Sequence, residues 1–449
     1  MRDFIILAII LGSVPFCFQR PFFGVLMWTW IAYFSPHRYA WSSTVYYFPV
    51  AMVVAIPTLL GMLFVRKMNR NIVTRESGLI LADWLWMGIT LVVAAQVPLF
   101  AGHITDGTNS LIQITKILVM TFVTMLLVNS KSRLRQLVLV MALSLGVRAV
   151  WVSIFGIQTG GEFRVYGPHD TFLADNNDFA LGLNMVLPLL YFLIAGEEKK
   201  WIRYGLWIAF LGSIFSVILT YSRGGLLGLA VVLLMIAFMS RYRLVALAGI
   251  AAVVLMTLSF APQQWTDRMD KAAHGDIDSS AEQRLIGWRT GWNLVMEYPI
   301  AGGGLEAYPD VVVFRHYQPR EMPGGRESEG PHSIYFQVLG EQGFVGLALF
   351  LALLASCILT LHQLRKQAKR ISRKHWIIPY TRMFEISLAA FMVSGAFLGR
   401  AYFDLWYGIV ACIVVLKILF RNELAQRKAQ TANTRNRFDL QQELPVAAV

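Results

Sequence analysis

Apolar runs of about 20 residues recur along this chain, and they limit what it can fold into more than any single residue does. A helix of that length crosses roughly 30 Å of hydrocarbon. Inside a bilayer every backbone polar group must be satisfied within the spanning structure, which leaves helices or closed barrels. A barrel would need short segments alternating with polar partners, and those are absent. Of the 449 residues, 56% are hydrophobic and 15% charged, whereas soluble domains carry roughly 25% charged residues. The expected fold class is therefore an all-α polytopic membrane protein with about 12 transmembrane helices.

The net charge of +13 does not point to nucleic acid, because the basic residues sit in short segments between apolar runs. Lys and Arg on the cytoplasmic side set the topology of membrane proteins. Residues 4–34 are interrupted at Pro15 and at Gln19-Arg20-Pro21, which allows one kinked crossing or two short segments. A span at about 48–65 ends in Arg66-Lys67-Met68-Asn69-Arg70, a cytoplasmic marker. Spans at 79–100, 111–128, 136–157, 178–195, 204–220, 226–239, 244–261, 334–362, 383–399 and 405–420 then alternate without conflict. Every segment assigned inside is net basic, and residues 365–382 hold seven Lys/Arg and no acid.

The polar stretch at 262–333 has the opposite balance, seven Lys/Arg against eleven Asp/Glu, so it is placed outside. For a bacterial inner membrane that side is the periplasm. The organisation read from this is one integral membrane domain over 1–449. It carries a periplasmic loop with amphipathic helical character at 262–333, a basic cytoplasmic loop at 363–382 and a mobile polar tail at 422–449. The N-terminal run lacks a small-residue cleavage site and reads as a retained first span. Cys17, Cys357 and Cys412 lie far apart in apolar runs and form neither a disulfide framework nor a metal site.

Topology alone predicts an outer face poor in arginine, yet Arg164, Arg223, Arg284, Arg289 and Arg400 fall at or just beyond outer helix ends. Arg148 lies deep in its span, where an arginine costs at least about 2.5 kcal/mol, so it should face protein or water. Each of these could snorkel to headgroups or form a local salt bridge. As a set, guanidiniums converging on one face fit a pyrophosphate, whose oxygens their planar forks bind in bidentate fashion. Arg223 stands in Thr220-Tyr221-Ser222-Arg223-Gly224-Gly225, where glycines permit a tight turn and a helix N-terminus can meet an anion. The bland alternative is a turn with an incidental arginine. Arg164 precedes the run Asp175-Asn176-Asn177-Asp178, which either caps a helix or binds sugar hydroxyls, Asn177 among them.

Within the long loop, Glu282–Glu297 has helical periodicity, with Ile286, Trp288, Trp292 and Val295 suited to lying on a membrane or covering a cavity. Gly302-Gly303-Gly304 then reads as a flexible turn, since the wider pattern of a nucleotide-binding loop is missing. His332 closes the loop in Gly330-Pro331-His332-Ser333. A neutral imidazole at that boundary can take a proton from a hydroxyl near pH 7. Asp276-Ile277-Asp278 is a possible divalent-metal pair in place of arginine, but no third ligand accompanies it. The expected site is metal-free.

Pro331-His332-Ser333 is followed by Gly340-Glu341-Gln342-Gly343-Phe344-Val345-Gly346-Leu347. This His-Ser, then Glu-x-Gly-x-x-Gly-Leu pattern, opening a late span after a large outer loop, resembles the O-antigen ligase family over roughly residues 160–350. That family shares its fold with O-antigen polymerases and with bacterial protein O-oligosaccharyltransferases. The resemblance implies a GT-C-like glycosyltransferase architecture in the inner membrane, with its active site facing the periplasm. It implies His332 as the base that activates the acceptor hydroxyl, and Arg223 and Arg289 as holders of a lipid pyrophosphate. Arg164 and Asn177 match less closely. Glu341 lies about 13 Å along a helix from His332, too far for direct contact, and reads as a supporting residue. The implied donor is an undecaprenyl-pyrophosphate-linked glycan and the implied acceptor lipid A–core, joined with inversion and without cofactor. A transporter of lipid-linked glycans is the reading from another class. It would place ionisable residues at mid-membrane and show repeat symmetry, whereas polar character here gathers at the outer face.

Overall fold

The computed structural model describes residues 1–239, 243–244, 251, 279–319 and 330–442. The predicted span at 244–261 and the Asp276–Asp278 pair thus fall almost wholly outside the described residues. The described chain is helical and has no strands.

Two antiparallel helices begin it, α1 (Arg2–Gln19) and α2 (Pro21–Phe34). The choice left open by the sequence is settled at Arg20, where the backbone leaves the helical region (φ −132°, ψ 77°). Pro21 disfavours a helical residue before it and opens α2 as its first residue, where a missing N–H costs nothing. Pro15 stays inside α1. α3 (Val50–Met62) packs on both helices, and the three form their own apolar cluster around Ile10, Ile31 and Val54.

The main bundle follows: α4 (Arg75–Ala94), α5 (Ile104–Leu127), α6 (Lys131–Gln158), α7 (Asn176–Ala195), α8 (Lys200–Leu219) and α9 (Arg223–Met239). After the helical part of the long loop, α10 (Ser279–Glu297) and α11 (Val311–Tyr317), come α12 (Ile334–Ile371), α13 (Ile377–Gly395) and α14 (Asp404–Gln442). Among the described residues seven helices are long and apolar enough to cross a membrane, and three apolar helices are shorter. α7 is the central post, sheathed by α6, α8, α9 and α13. The segment Leu405–Leu416 of α14 is likewise buried among other helices. The basic run from Arg365 continues α12 as helix to Ile371, and the tail from residue 422 opens as a continuation of α14.

Helix ends gather at two poles. At one, Glu76 is wholly buried and accepts from Lys417 (2.7 Å), Thr360 (2.6 Å) and Ser356 (3.0 Å). Glu423 there meets Lys131, His375 and Trp376, and Arg135 pairs with Glu197 (2.5 Å). Arg66, Lys131, Arg135 and Arg365, all assigned inside by the charge pattern, belong to helix ends of this pole. The other pole collects the starts of α5, α7, α9, α12 and α14 together with the loop helices. Cross-links between its loops show the convergence: Val165 N–H to the Leu219 carbonyl (3.2 Å), Asn176 to the Thr220 carbonyl (2.8 Å), and Arg400 to Asp178 (2.5 Å).

Candidate active site at the polar pole

His332 is the last loop residue but one before α12, and it holds a left-handed backbone (φ 42°). That conformation is uncommon for a residue with a Cβ and marks a position fixed by its surroundings. Two contacts fix it. The Trp288 indole N–H of α10 donates to the Pro331 carbonyl (2.8 Å), and the Trp288 ring stacks on Phe336 in the first turn of α12 (5.1 Å, 6°). The amphipathic helix expected at 282–297 is thereby clamped across the start of α12. Gly399 lies against the His332 backbone.

The imidazole is half-buried, and burial together with the positive charges of Arg284 and Arg400 depresses its pKa below 6.5, while Asp175 pulls the other way. A lowered pKa means that the neutral, proton-accepting form dominates at pH 7. Three separate elements supply these charges: α10, the turn after α13 and the cap of α7.

Of the arginines singled out in the sequence, Arg284 and Arg400 therefore act directly on His332. Arg400 also donates to the buried Asp178. Arg223 opens α9, whose Gly224 packs on Phe397 in the same turn that carries Gly399 and Arg400. Arg164 lies beside Tyr221, opposing with its charge the upward shift that burial imposes on that phenol. Tyr221 itself donates to the Gly161 carbonyl, so 161–166 straps the turn that bears Arg223. Arg289 is exposed on α10 and is not among the charges acting on His332.

Arg148 is drawn elsewhere. It bonds to the Tyr39 hydroxyl and lies over that ring at 4.9 Å, so the part-buried guanidinium is held within the protein, although its Nε has no hydrogen-bond partner. Asn177 joins the cap of α7, its backbone and side-chain N–H groups donating to Asp175 Oδ1 (2.8 and 2.9 Å). Of the two roles open to that run, capping is the one the geometry displays.

The two glycine-bearing stretches of the sequence interlock. α12 breaks at Gly343 (φ 68°, ψ −168°). Near the break, the Gly303 and Gly304 amides donate to the Gly340 and Glu341 carbonyls (2.8 and 2.9 Å), and Phe344 N–H donates to the Pro299 carbonyl (2.8 Å). The Trp86 indole takes the Gln342 carbonyl (2.9 Å). Buried His103 contacts the Gly303 carbonyl (2.9 Å) and the Asp310 carboxylate (3.3 Å) from below. Amides spent in this way are not free for phosphate. The triplet is a fixed structural crossing rather than a flexible turn.

Reasoning from sequence missed Asp175 as a charge on His332, and it missed Gln337, whose side-chain amide oxygen accepts from Ala401 N–H (3.0 Å) and ties the Arg400 turn to α12. Gln337 stands four residues before Glu341 on one helix face, a spacing that could have exposed it.

Fold and polar pole together define a multi-pass helical membrane protein with a histidine set among arginines at one end of the bundle. Residues 208–351 match the O-antigen ligase family, and residues 1–193 match a family of unknown function, DUF5935. The match over 208–351 supports an O-antigen ligase-type domain in this part of the chain. No curated protein matches the sequence. The matched segment begins at 208 rather than near 160. It holds Arg223, Arg284, Arg289, His332 and Glu341, whereas Arg148, Arg164 and Asn177 fall in the other family's segment and Arg400 in neither.

Proposed function

We propose that this protein is an O-antigen ligase. It transfers a glycan from undecaprenyl pyrophosphate to a sugar hydroxyl of lipid A–core at the periplasmic face of the inner membrane. His332 carries this reading: a half-buried imidazole kept neutral at pH 7, at the mouth of a spanning helix, beside Arg284 and Arg400. The acceptor oxygen attacks the anomeric carbon from the face opposite the pyrophosphate. As the new C–O bond forms, the bond from the anomeric carbon to the phosphate oxygen breaks. Its electron pair leaves on the pyrophosphate, and the hydroxyl proton passes to His332, with inversion. Arg223, Arg289 and Arg164 hold the pyrophosphate, and Arg284 and Arg400 add positive charge where negative charge grows. Elongating a second lipid-linked glycan or glycosylating a protein would need the same chemistry with another acceptor.

The test is direct. Purified protein given lipid-linked glycan and lipid A–core should form the conjugate without nucleotide. Replacing the acceptor by a peptide or by a second lipid-linked glycan should give none. If only one of those substitutes is glycosylated, the acceptor assignment is wrong. The same assay should run at full rate in EDTA; a loss restored by magnesium or manganese would transfer the arginines' role to a metal.

The pH profile tests the base. The acid limb of kcat/KM should lie below pH 6.5, because activity requires neutral His332 and its pKa is lowered. Asp175 is the neighbour that favours the imidazolium, so Asp175→Asn should move that limb to still lower pH. Asparagine caps a helix as well as aspartate does, so α7 should keep its start. A limb that stays put or moves up would remove Asp175 from the site.

A further inference from the structure

The run Asp175-Asn176-Asn177-Asp178 does more than start α7. Asp175 acts by its charge on His332, and the Asn176 amide holds the Thr220 carbonyl in the turn that leads to Arg223. Asp178, in the first turn, accepts from Arg400 Nε (2.5 Å). One helix start thus meets His332, the Arg223 turn and Arg400. α7 is the central post of the bundle and is packed on all sides, so groups on its first turn are fixed points.

The contact between Asp178 and Arg400 is lopsided. The carboxylate side chain is 7% exposed and the arginine side chain 36%. Nε is spent on the carboxylate, and the two Nη groups have no hydrogen-bond partner among the described residues. An arginine that served only to neutralise a buried acid would be expected to pair through two parallel bonds. Held by Nε alone, this one keeps its fork for another anion. The turn that carries it is pinned on either side of Arg400. Gly399 lies against the His332 backbone, and Ala401 N–H donates to the Gln337 side chain (3.0 Å). With backbone and Nε both tied, the guanidinium has little room to swing, and its charge acts on the imidazole.

We propose that Asp178 is the positioning residue for Arg400, holding its Nη groups at the reaction centre to meet a phosphate oxygen of the departing lipid carrier. What the Nη groups meet rests on the transfer reading above; how they are held does not. The site then extends beyond residues 208–351 in both directions. Asp178 lies in the segment matched by the family of unknown function, and Arg400 lies outside both matches.

The test reads the imidazole directly and so does not depend on turnover. In the purified full-length protein the His332 ring C–H signal, assigned by its loss in His332→Asn, is titrated by NMR. Three charges face that ring: Arg284 on α10, Asp175 at the cap of α7 and Arg400 in its turn. Asp178 is not among them, so its removal should move the titration only through Arg400. Asp178→Ala should let Arg400 swing into water and raise the midpoint towards 6.5. Asp178→Asn, which still offers an oxygen to Nε, should leave the midpoint near the parent's. Arg400→Gln should raise it too, and adding Asp178→Ala to Arg400→Gln should change nothing more. In the transfer assay Asp178→Ala should lower kcat/KM about ten- to a hundredfold, with asparagine restoring most of the loss. Should the alanine variant not fold, Arg400→Lys carries the test. Lysine can answer Asp178 with its ammonium but has no fork left over, so transfer should fall about as far while the thermal midpoint holds. A titration unmoved by Asp178→Ala, additive effects of the two variants, or full transfer by Arg400→Lys would overturn the proposal. The expected titrations without any transfer by the parent protein would sink the ligase reading and leave the positioning in place.

Discussion

His332→Asn should lower glycan transfer by about 10²–10⁴-fold, the usual worth of a positioned general base, with the thermal midpoint near that of the parent protein. Asparagine is the better probe because of the backbone. His332 sits at φ 42°, in the left-handed region that asparagine tolerates and alanine does not favour. His332→Ala should lose the same activity and also some stability, about 1 kcal/mol from that conformation. Comparing the two therefore separates chemistry from fold. The Trp288 indole bond to the Pro331 carbonyl lies outside the altered side chain, so indole fluorescence should be unchanged in the asparagine variant. Full activity in His332→Asn would mean that another group removes the acceptor proton.

What the sequence could show depended on the range of the interaction. Apolar length and charge balance are local properties of the chain, and they placed the starts of α5, α7, α9, α12 and α14 at one pole. The loop helix was visible in Trp288 and Trp292 for the same reason. Competition between Pro15 and Pro21 was not decidable locally, because membrane helices tolerate proline. The packing of α1 against α2 and α3 decides it. Arg148 was read beside the pyrophosphate ligands because nothing near it in sequence announces Tyr39, which lies 109 positions away.

Glu341 was read as a supporting residue by counting along the helix, which runs unbroken from Ile334 past Glu341 to the kink at Gly343. Its meeting with Glu306 depends on the crossing of 299–304 with 340–344. Sequence patterns register the glycines of such a crossing without telling what they cross. The same limit hid Asp175, noticed as a cap but not as a charge facing His332.

Gly343→Ala should give the largest loss of stability of any single methyl added at this pole, several kcal/mol, with transfer lost as well. Gly343 has φ 68° and ψ −168°, a region open essentially to glycine alone, and forcing another residue into it costs about 1–3 kcal/mol. An added Cβ would also stand 2.3 Å from the Ile300 carbonyl oxygen and 2.5 Å from its carbon. Those are backbone atoms, so no side chain can swing aside to make room. Relief requires 299–304 to move off α12, which breaks the bonds from Gly303 and Gly304 to the Gly340 and Glu341 carbonyls. Each buried group left unpaired adds about 1–3 kcal/mol. The displacement would carry Glu306 away from Glu341 and loosen the first turn of α12 that positions His332. Gly88→Ala is the control: it lies within α4 with open space around it, and alanine there should leave the thermal midpoint unchanged or slightly raised. A Gly343→Ala protein with the parent's midpoint and activity would show that the glycine crossing does not hold the site together.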